Sequence, residues 1–324
     1  MKSIIILAIV AILVVGVGAS YKLSGNLVKT NNIVKIGYIP IALSLPVYVA
    51  EENGYFQSEG VEYELVTMDS TDSIIKGLVD NQIDAAFEVS LAPVLSYEEK
   101  NPGSIKIFSV SDLTSQEPFD SIIIKQDSGL KTLKDLEGKR LGILPGQTGK
   151  TLISLFKEFL RPKGVDSESI QFISVAPDAQ ISALANGDVD AVLTFEPTVT
   201  QAMQSIQARR LYGSFLGEQI EHNPQGAAIF TSEFVKDNPV FAKKIVNIFD
   251  KSADYVKSNE TGARKILSNR LRINTQVTSY MALFRMTKSL EIDKKIIQKY
   301  ITVLNNVGLL GKKLDGSSLI YSGS

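Results

Sequence analysis

Short apolar runs alternate with amphipathic segments along the chain from residue 33. Four runs have the length and the flanking turn residues of buried strands: 34–39, 61–66, 83–87 and 105–110. Four more follow at 121–125, 140–144, 170–175 and 189–194. Between the runs, apolar residues recur every three to four positions, as on one face of a helix. From residue 234 the pattern is helical almost to the end. The alternation predicts an α/β fold built from two similar units.

Two segments of these units repeat one pattern. Gly77–Phe87 and Ala183–Leu193 each contain a helix end, a polar turn, and then an apolar residue, Asp-Ala and an apolar run. The repetition predicts that both units contain the same helix–turn–strand element. The aspartates, Asp84 and Asp190, fall near the strand starts, whereas ligands in open α/β sheets bind beyond the strand ends. We therefore expect them to cap the turns rather than to act as a catalytic carboxylate pair.

The first 32 residues differ from the rest of the chain. An unbroken apolar run, Ile4–Ala19, follows a short positive start and ends in small residues before a polar stretch. Such a run is typical of a secretory signal peptide, and it is slightly shorter than the roughly 20 residues that a spanning helix needs. Residues 1–32 are predicted to be a signal peptide, or a retained membrane anchor, plus a linker. Either would place the remaining chain in the periplasm or on the extracellular face of the cytoplasmic membrane.

The composition excludes several functional classes. The chain has 324 residues and a net charge of −1, so it has no basic surface that would bind nucleic acid. It contains no cysteine, which excludes disulfides, thiolate nucleophiles and cysteine-ligated metals. Its one histidine, His222, lies in a polar turn and leaves acid–base chemistry and histidine-rich metal sites poorly supplied. We expect no metal site, no cofactor and no catalytic residue.

Four segments together resemble one family of proteins. They are 36–56, which opens with Ile-Gly-Tyr-Ile-Pro, 77–87, 133–142, and 186–197, which contains Asn-Gly-Asp-Val-Asp-Ala and Phe-Glu-Pro. Their order and spacing are similar to those of the periplasmic solute-binding proteins that serve importers of nitrate, sulfonates and thiamin precursors. Phe195 stands where tryptophan is common in that family, and Thr198 stands where an aromatic residue is common. The resemblance covers roughly residues 33–249.

The resemblance implies a type II periplasmic binding protein fold with two lobes. Each lobe would be a mixed sheet flanked by helices, and two crossing strands would form the hinge. Residues 33–117 and 225–324 would form lobe one, with a helical C-terminus, and residues 118–224 would form lobe two together with the crossover segments.

The same resemblance implies the ligand class and the partners. The solute would be a small anionic or heterocyclic molecule (a sulfonate, nitrate or a thiamin pyrimidine precursor) held between the lobes. The protein would be a monomer that delivers this solute to the permease of an ABC transporter with its cytoplasmic ATPase. It would touch the membrane only through an uncleaved leader.

Candidate ligand-binding residues follow four of the strands, because ligands of open α/β sheets bind beyond the carboxyl ends of strands. They are Ser44, Leu45, Val89, Ser90, Gly146, Gln147, Thr148, Gly149, Phe195 and Glu196. The hydroxyls of Ser44 and Ser90 suit either hydrogen bonding to a ligand or helix capping. Glu196 suits either an amine on the ligand or a basic neighbour in the protein.

Of the four candidate loops, the turn at residues 146–149 is chemically the best suited to bind an anion. Its glycines allow the backbone to approach a ligand, and a helix start has free N–H groups and a partial positive charge. Thr148 adds a hydroxyl, so the turn suits a sulfonate, nitrate, phosphate or carboxylate group. We expect a bulky residue at Gly146 or Gly149 to block binding and to leave the fold largely intact. An ordinary capped turn between strand and helix is the alternative.

Three other functions are alternatives to solute binding. Residues 149–151 read Gly-Lys-Thr, as at the end of a nucleotide-binding P-loop, but Leu144 occupies the position of the first glycine. The resemblance also extends to an enzyme of thiamin-pyrimidine synthesis, whose chemistry relies on a histidine and a cysteine-rich motif. This chain has no cysteine, and its one histidine lies in a loop. A ligand-sensing module on the same fold is a further alternative.

Overall fold

The computed structural model describes residues 33–311 and 313–323. The predicted signal peptide or anchor, residues 1–32, lies outside the described residues. Within the described ranges, no helix combines the length and the apolar character needed to cross a lipid bilayer.

The described residues form strands and helices in alternation. The strands are β1 (Val34–Tyr38), β2 (Tyr63–Thr67), β3 (Ala85–Ser90), β4 (Ile105–Leu113), β5 (Asp120–Lys125), β6 (Arg140–Ile143), β7 (Gln171–Ser174), β8 (Ala191–Phe195), β9 (Ala208–Tyr212), β10 (Asn223–Thr231) and β11 (Arg285–Thr287). The helices are α1 (Leu45–Glu52), α2 (Tyr55–Ser58), α3 (Thr71–Val79), α4 (Leu91–Lys100), α5 (Gly146–Leu160), α6 (Gln180–Asn186), α7 (Thr198–Ser205), α8 (Phe215–Gln219), α9 (Ser232–Asp237), α10 (Pro239–Ser258), α11 (Glu260–Leu271), α12 (Thr275–Tyr280) and α13 (Lys294–Asn306).

The strands form two mixed sheets. The first sheet has the order β11-β4-β10-β3-β1-β2, with β1 parallel to β2 and β3, and with β10 antiparallel to β3 and β4. The second sheet has the order β7-β6-β8-β5-β9, with β6 parallel to β7 and β8, and with β5 antiparallel to β8 and β9. Two mixed sheets with helices between their strands agree with the predicted α/β class.

Two segments connect the sheets. Residues 114–119 lead from β4 to β5, and residues 213–222, which contain α8, lead from β9 back to β10. Buried apolar residues of both sheets, such as Ile107 and Ile122, belong to one continuous hydrophobic cluster. The predicted lobe boundary at 117/118 falls in the first connecting segment, and the one at 224/225 falls just inside β10. The division into lobes at these residues stays a prediction.

The amphipathic pattern of α5 explains how this helix packs. Apolar residues recur every three to four positions along one face of α5, and they are buried: Leu152, Leu155, Phe156, Phe159 and Leu160. Phe156 and Phe159 also pack edge-on or tilted against Phe215 of α8, with ring centroids 5.2 and 5.6 Å away. The helix is therefore packed against α8 by the face that its sequence makes apolar.

The region after residue 234 departs from the prediction in one place. It was expected to be helical, yet Arg285–Thr287 form the short strand β11, which pairs antiparallel with β4 at the edge of the first sheet. Three residues are too few to give an alternating pattern in the sequence. The strand forms because β4 presents unpaired backbone groups to it, which is a long-range cause.

The two predicted aspartates hold equivalent strand starts together. Asp84 Oδ2 accepts a hydrogen bond from the backbone N of Lys35 at 2.8 Å, and Asp190 Oδ2 accepts one from the backbone N of Arg140 at 2.9 Å. Arg140 Nη2 also donates to Asp190 Oδ1 at 2.8 Å. In each sheet the aspartate thus joins the start of one parallel strand to the turn before the next. Both residues thus have a structural role, as expected, but each bonds to the start of the neighbouring parallel strand and does not cap its own turn. The repeated helix–turn–strand element is confirmed.

We predict that Asp190→Ala lowers the free energy of unfolding by about 1–3 kcal/mol, because it removes the acceptor of several hydrogen bonds. The Arg140 hydrogen bond holds the pKa of Asp190 below its usual value. The difference from wild type should therefore be present at neutral pH and shrink as the pH falls below about 4. Urea unfolding at several pH values measures it.

Asp80→Ala is the matched control, because Asp80 forms only an exposed ion pair with Lys76. Its effect should stay within about 0.5 kcal/mol. Equal effects of the two substitutions would contradict the structural role of Asp190.

Candidate functional site

The predicted ligand-binding loops lie at the carboxyl ends of two pairs of parallel strands. In the first sheet, Tyr38 of β1 lies beside Phe87 of β3, so the loops that follow these strands are neighbours. In the second sheet, Gly142 of β6 lies beside Val192 of β8, which places the loops after these strands together. The structure therefore collects the ten candidate residues into two groups, one for each sheet.

The start of α5 is open and lacks a side-chain cap. Gly146 has a φ of 68°, in the left-handed region that favours glycine, and a side chain there would meet no atom within 4 Å. Pro145 precedes it with extended backbone, and no side chain accepts a hydrogen bond from the first turn. Gly146, Gln147 and Thr148 are exposed. The first N–H groups of a helix have no acceptor within the helix, so these groups are free to bind a ligand.

Gly149 differs from Gly146, because packing requires it to be glycine. It is buried, and a Cβ at this position would lie 1.8 Å from the carbonyl oxygen of Leu144. The expectation that a bulky residue at Gly149 spares the fold is therefore wrong. Glycine suits the two positions for different reasons: left-handed backbone at Gly146 and close packing at Gly149. The sequence did not distinguish these reasons.

The candidates of the first sheet are largely buried. Ser44, Leu45 and Val89 have no exposed surface, and Ser44 Oγ donates to the carbonyl oxygen of Ile39 at 2.6 Å. Ser90 is exposed at the end of β3. Neither serine side chain caps the helix that follows it, so the helix-capping alternative is wrong for both. Ser44 closes the loop after β1, and Ser90 is the candidate of this group whose side chain reaches solvent.

Glu196 forms a buried ion pair within the second unit. Its Oε1 accepts from Arg210 Nη2 at 3.1 Å and from Thr200 Oγ1 at 3.0 Å, and its Oε2 accepts from the backbone N of Thr200 at 3.0 Å. Burial raises the pKa of Glu196, and the bonds to Thr200 and the charge of Arg210 oppose that rise. Of its two predicted roles, the structure shows the pairing with a basic neighbour. Phe195 beside it is partly buried against Phe119, with ring centroids 6.4 Å apart.

Two residues near these loops were not among the predicted candidates. Arg210 of β9 is brought next to Glu196 by the tertiary structure, and no local sequence pattern predicts this pairing. Glu88 is buried in β3 with a φ of 54°, which is unusual for a residue other than glycine. The sequence places Glu88 directly after the predicted strand 83–87, in the loop that contributes Val89 and Ser90, and an acidic residue beside this apolar run is itself a signal of a site.

Two cavities in the described part of the chain lie away from these loops. One of about 300 Å³ lies between α5, α8 and α13, with Phe159 and Val303 in its walls. Another of about 210 Å³ lies along the connecting segments, with Thr114 and His222 in its walls. None of the ten candidates lines either cavity. Among residues 33–311 and 313–323, no group of three or more His, Cys, Asp or Glu side chains is arranged to hold a metal ion.

The amino-acid sequence of this chain is similar to those of known proteins. The family described as "NMT1/THI5 like" matches residues 43–263. A protein of Bacillus subtilis (strain 168) named "Putative aliphatic sulfonates-binding protein" is 25% identical over 272 residues, which are 83% of this chain and 78% of that protein. The 4-amino-5-hydroxymethyl-2-methylpyrimidine phosphate synthase of Schizosaccharomyces pombe is 29% identical over 173 residues, which are 51% of this chain and 44% of the synthase.

The fold is also that of a solved structure. The crystal structure of the periplasmic aliphatic sulphonate binding protein SsuA from Escherichia coli superposes with a TM-score of 0.74 over 90% of this chain and 92% of that chain, at 16% identity. At that identity the likeness shows the fold alone, and it confirms the predicted periplasmic binding protein fold. Because the family match spans more than half of its length, this chain belongs to the NMT1/THI5-like family.

Proposed function

We propose that this protein is the solute-binding component of an ABC importer, exported across the cytoplasmic membrane. It binds a small anionic or heterocyclic solute, such as a sulfonate, nitrate or a thiamin pyrimidine precursor, between its two sheets and delivers it to a permease. Membership of the family supports a solute-binding role, as do the sulfonate-binding names of the Bacillus subtilis relative and the Escherichia coli structure.

The uncapped start of α5 is the observation that carries the proposal. Three consecutive exposed residues, 146–148, present backbone N–H groups that no side chain caps. The helix has 15 residues, so its aligned peptide dipoles give this end a partial positive charge. A sulfonate or nitrate group matches both features, because it is negatively charged and its oxygen atoms can accept hydrogen bonds from several N–H groups at once.

An enzymatic function of the pyrimidine-synthase type has less support. The chain has no cysteine, and its one histidine is not in any of the four candidate loops. His222 directly precedes β10 and contacts Arg285 Nη1 at 3.2 Å through Nε2. The four loops therefore contain neither of the residue types on which the synthase chemistry relies, whereas binding requires neither.

We predict that Gly146→Asp abolishes anion binding, because it places a negative charge where the solute's charge would lie. Gly146→Asn is the matched control, since Asp and Asn have the same shape and both tolerate left-handed backbone. The Asn variant should lose at most about tenfold in affinity. Thr148→Val should cost about 1–3 kcal/mol if the hydroxyl donates to the solute.

Calorimetry with nitrate and a series of alkanesulfonates, with circular dichroism as the folding check, measures these effects. If folded Gly146→Asp binds the same anion as tightly as Gly146→Asn, the turn is structural and the anion site lies elsewhere.

A further prediction concerns closure. The sheets are joined by two connecting segments, so we expect the units to move about these segments when solute binds. Small-angle scattering with a saturating amount of whichever of these anions calorimetry identifies should then show a smaller radius of gyration. A ligand that favours the closed state must shift the population toward it, so an unchanged profile at saturation would contradict hinge closure.

A further inference from the structure

Glu88 lies at the ligand edge of the first sheet, close to the strands that lead into the second. It is two residues before the carboxyl end of β3, and its side chain crosses β10 to reach β4, where Ser111 Oγ donates to Oε2. Gly226 of β10 makes this path possible, because a Cβ there would lie 2.6 Å from Glu88 Oε2. Both β4 and β10 continue into the connecting segments. The carboxyl group therefore lies near the ends of β4 and β10 that join the connecting segments.

The backbone at Glu88 is irregular in a way that sets its side chain apart. Its φ of 54° is left-handed in the middle of a strand, and the pairing of β3 with β10 shifts register between Ala227 and Ile229. Such bulges redirect side chains and are common beside binding sites. A residue other than glycine adopts this backbone only where the surroundings impose it.

The hydrogen bonding of Glu88 is incomplete. Five carboxyl side chains are buried in the described ranges: Glu88, Glu98, Asp112, Asp120 and Glu196. Among these five, only Glu88 has a buried oxygen, Oε1, without a hydrogen-bond partner. Asp120, for comparison, accepts from Ser214 Oγ and from the backbone N of Phe215 and Leu216. A buried carboxyl oxygen is expected to have a partner, so Oε1 indicates a group that the protein itself does not supply.

The charges around Glu88 indicate what that group is. Glu196 has Arg210, and Asp112 has Arg285 of β11 as a neighbouring positive charge. For Glu88 the neighbouring charge is Asp112, which has the same sign. Burial, with Asp112 adding to it, raises the pKa of Glu88 to about 8. A cation that donates N–H bonds would complete both the hydrogen bonding and the charge of this carboxyl group.

We propose that Glu88 is a specificity-determining residue that binds a protonated amine on the solute through Oε1. The inference rests on the proposed function, in which the start of α5 binds the solute's anionic group. The two features together select a small organic anion that also carries an ammonium group. The start of α5 alone would not distinguish such a solute from an anion without an ammonium group.

Proton release gives the proposal a signature that a structural role would not produce. In the free protein near pH 7, Glu88 holds its proton, because the folded pKa lies above the ambient pH. An ammonium group bound at Oε1 favours the ionised form and lowers that pKa. Binding should therefore release a proton, in an amount approaching one for each solute bound.

The experiment compares aminoalkanesulfonates of one to three carbons with unsubstituted alkanesulfonates of the same lengths. Calorimetry at pH 7 in two buffers of different ionisation enthalpy gives the affinity and the number of protons released. Wild type should bind at least one amino compound more than about tenfold tighter than its plain counterpart, a difference of about 1.4 kcal/mol. Proton release should accompany the amino compound alone.

Glu88→Gln keeps the size of the side chain and should reduce the preference to near one and abolish proton release. Glu98→Gln is the matched control, because Glu98 is a buried carboxyl of α4 whose oxygens are all bonded, to residues 103–105. It should retain both the preference and the proton release. Gly226→Ala, which leaves the charge in place and crowds Oε2, should also weaken the preference.

The outcomes separate this inference from the proposed function. Equal binding of the amino and plain compounds by wild type, or a preference without proton release, would overturn the role of Glu88 and leave the anion site standing. Binding of neither series would overturn the sulfonate class and the role of Glu88 together. Because the wild-type measurements decide these cases, the test holds even if the Gln variant fails to fold.

Discussion

Everything at the proposed site depends on parallel pairing between strands that are far apart in the chain. β1 pairs with β3, and β6 pairs with β8, and in each case an aspartate joins residues about 50 positions apart at the strand starts. Parallel strands need a long crossover, and here each crossover consists of helices and one further strand, β2 in the first sheet and β7 in the second. Because the strand starts are fixed at one edge, the loops that follow the strands meet at the other edge. The positions of the candidate loops follow from this constraint.

The two sheets offer different groups to the proposed site. The second sheet offers the uncapped start of α5, whose N–H groups attract negative charge. The first sheet offers Glu88, a buried carboxyl with one unpartnered oxygen. Leaving such a group unsatisfied costs about 1–3 kcal/mol, and left-handed backbone at the same residue adds to that cost. Local departures of this kind are expected where function, rather than stability, determines the residue.

The fold alone does not decide between binding and catalysis. A sulfonate-binding name and a pyrimidine phosphate synthase both occur among the relatives of this chain. The distinction has to come from side chains, and the four candidate loops contain glycines, hydroxyls and carboxyls but no cysteine and no histidine. The proposed binding of a solute uses only these groups.

The sequence by itself determined the α/β class, the repeated helix–turn–strand element and the four loops, because apolar periodicity and turn residues are local signals. It also indicated the structural role of Asp84 and Asp190 through their position before a strand. Only the tertiary structure decided which glycine is free and which is packed. Gly146 and Gly149 look alike in sequence, but the Leu144 carbonyl lies against one of them. The same holds for β11, for the partnership of Arg210 with Glu196, and for the incomplete hydrogen bonding of Glu88. Each depends on atoms that are distant in the chain and near in space, and local patterns do not record that proximity.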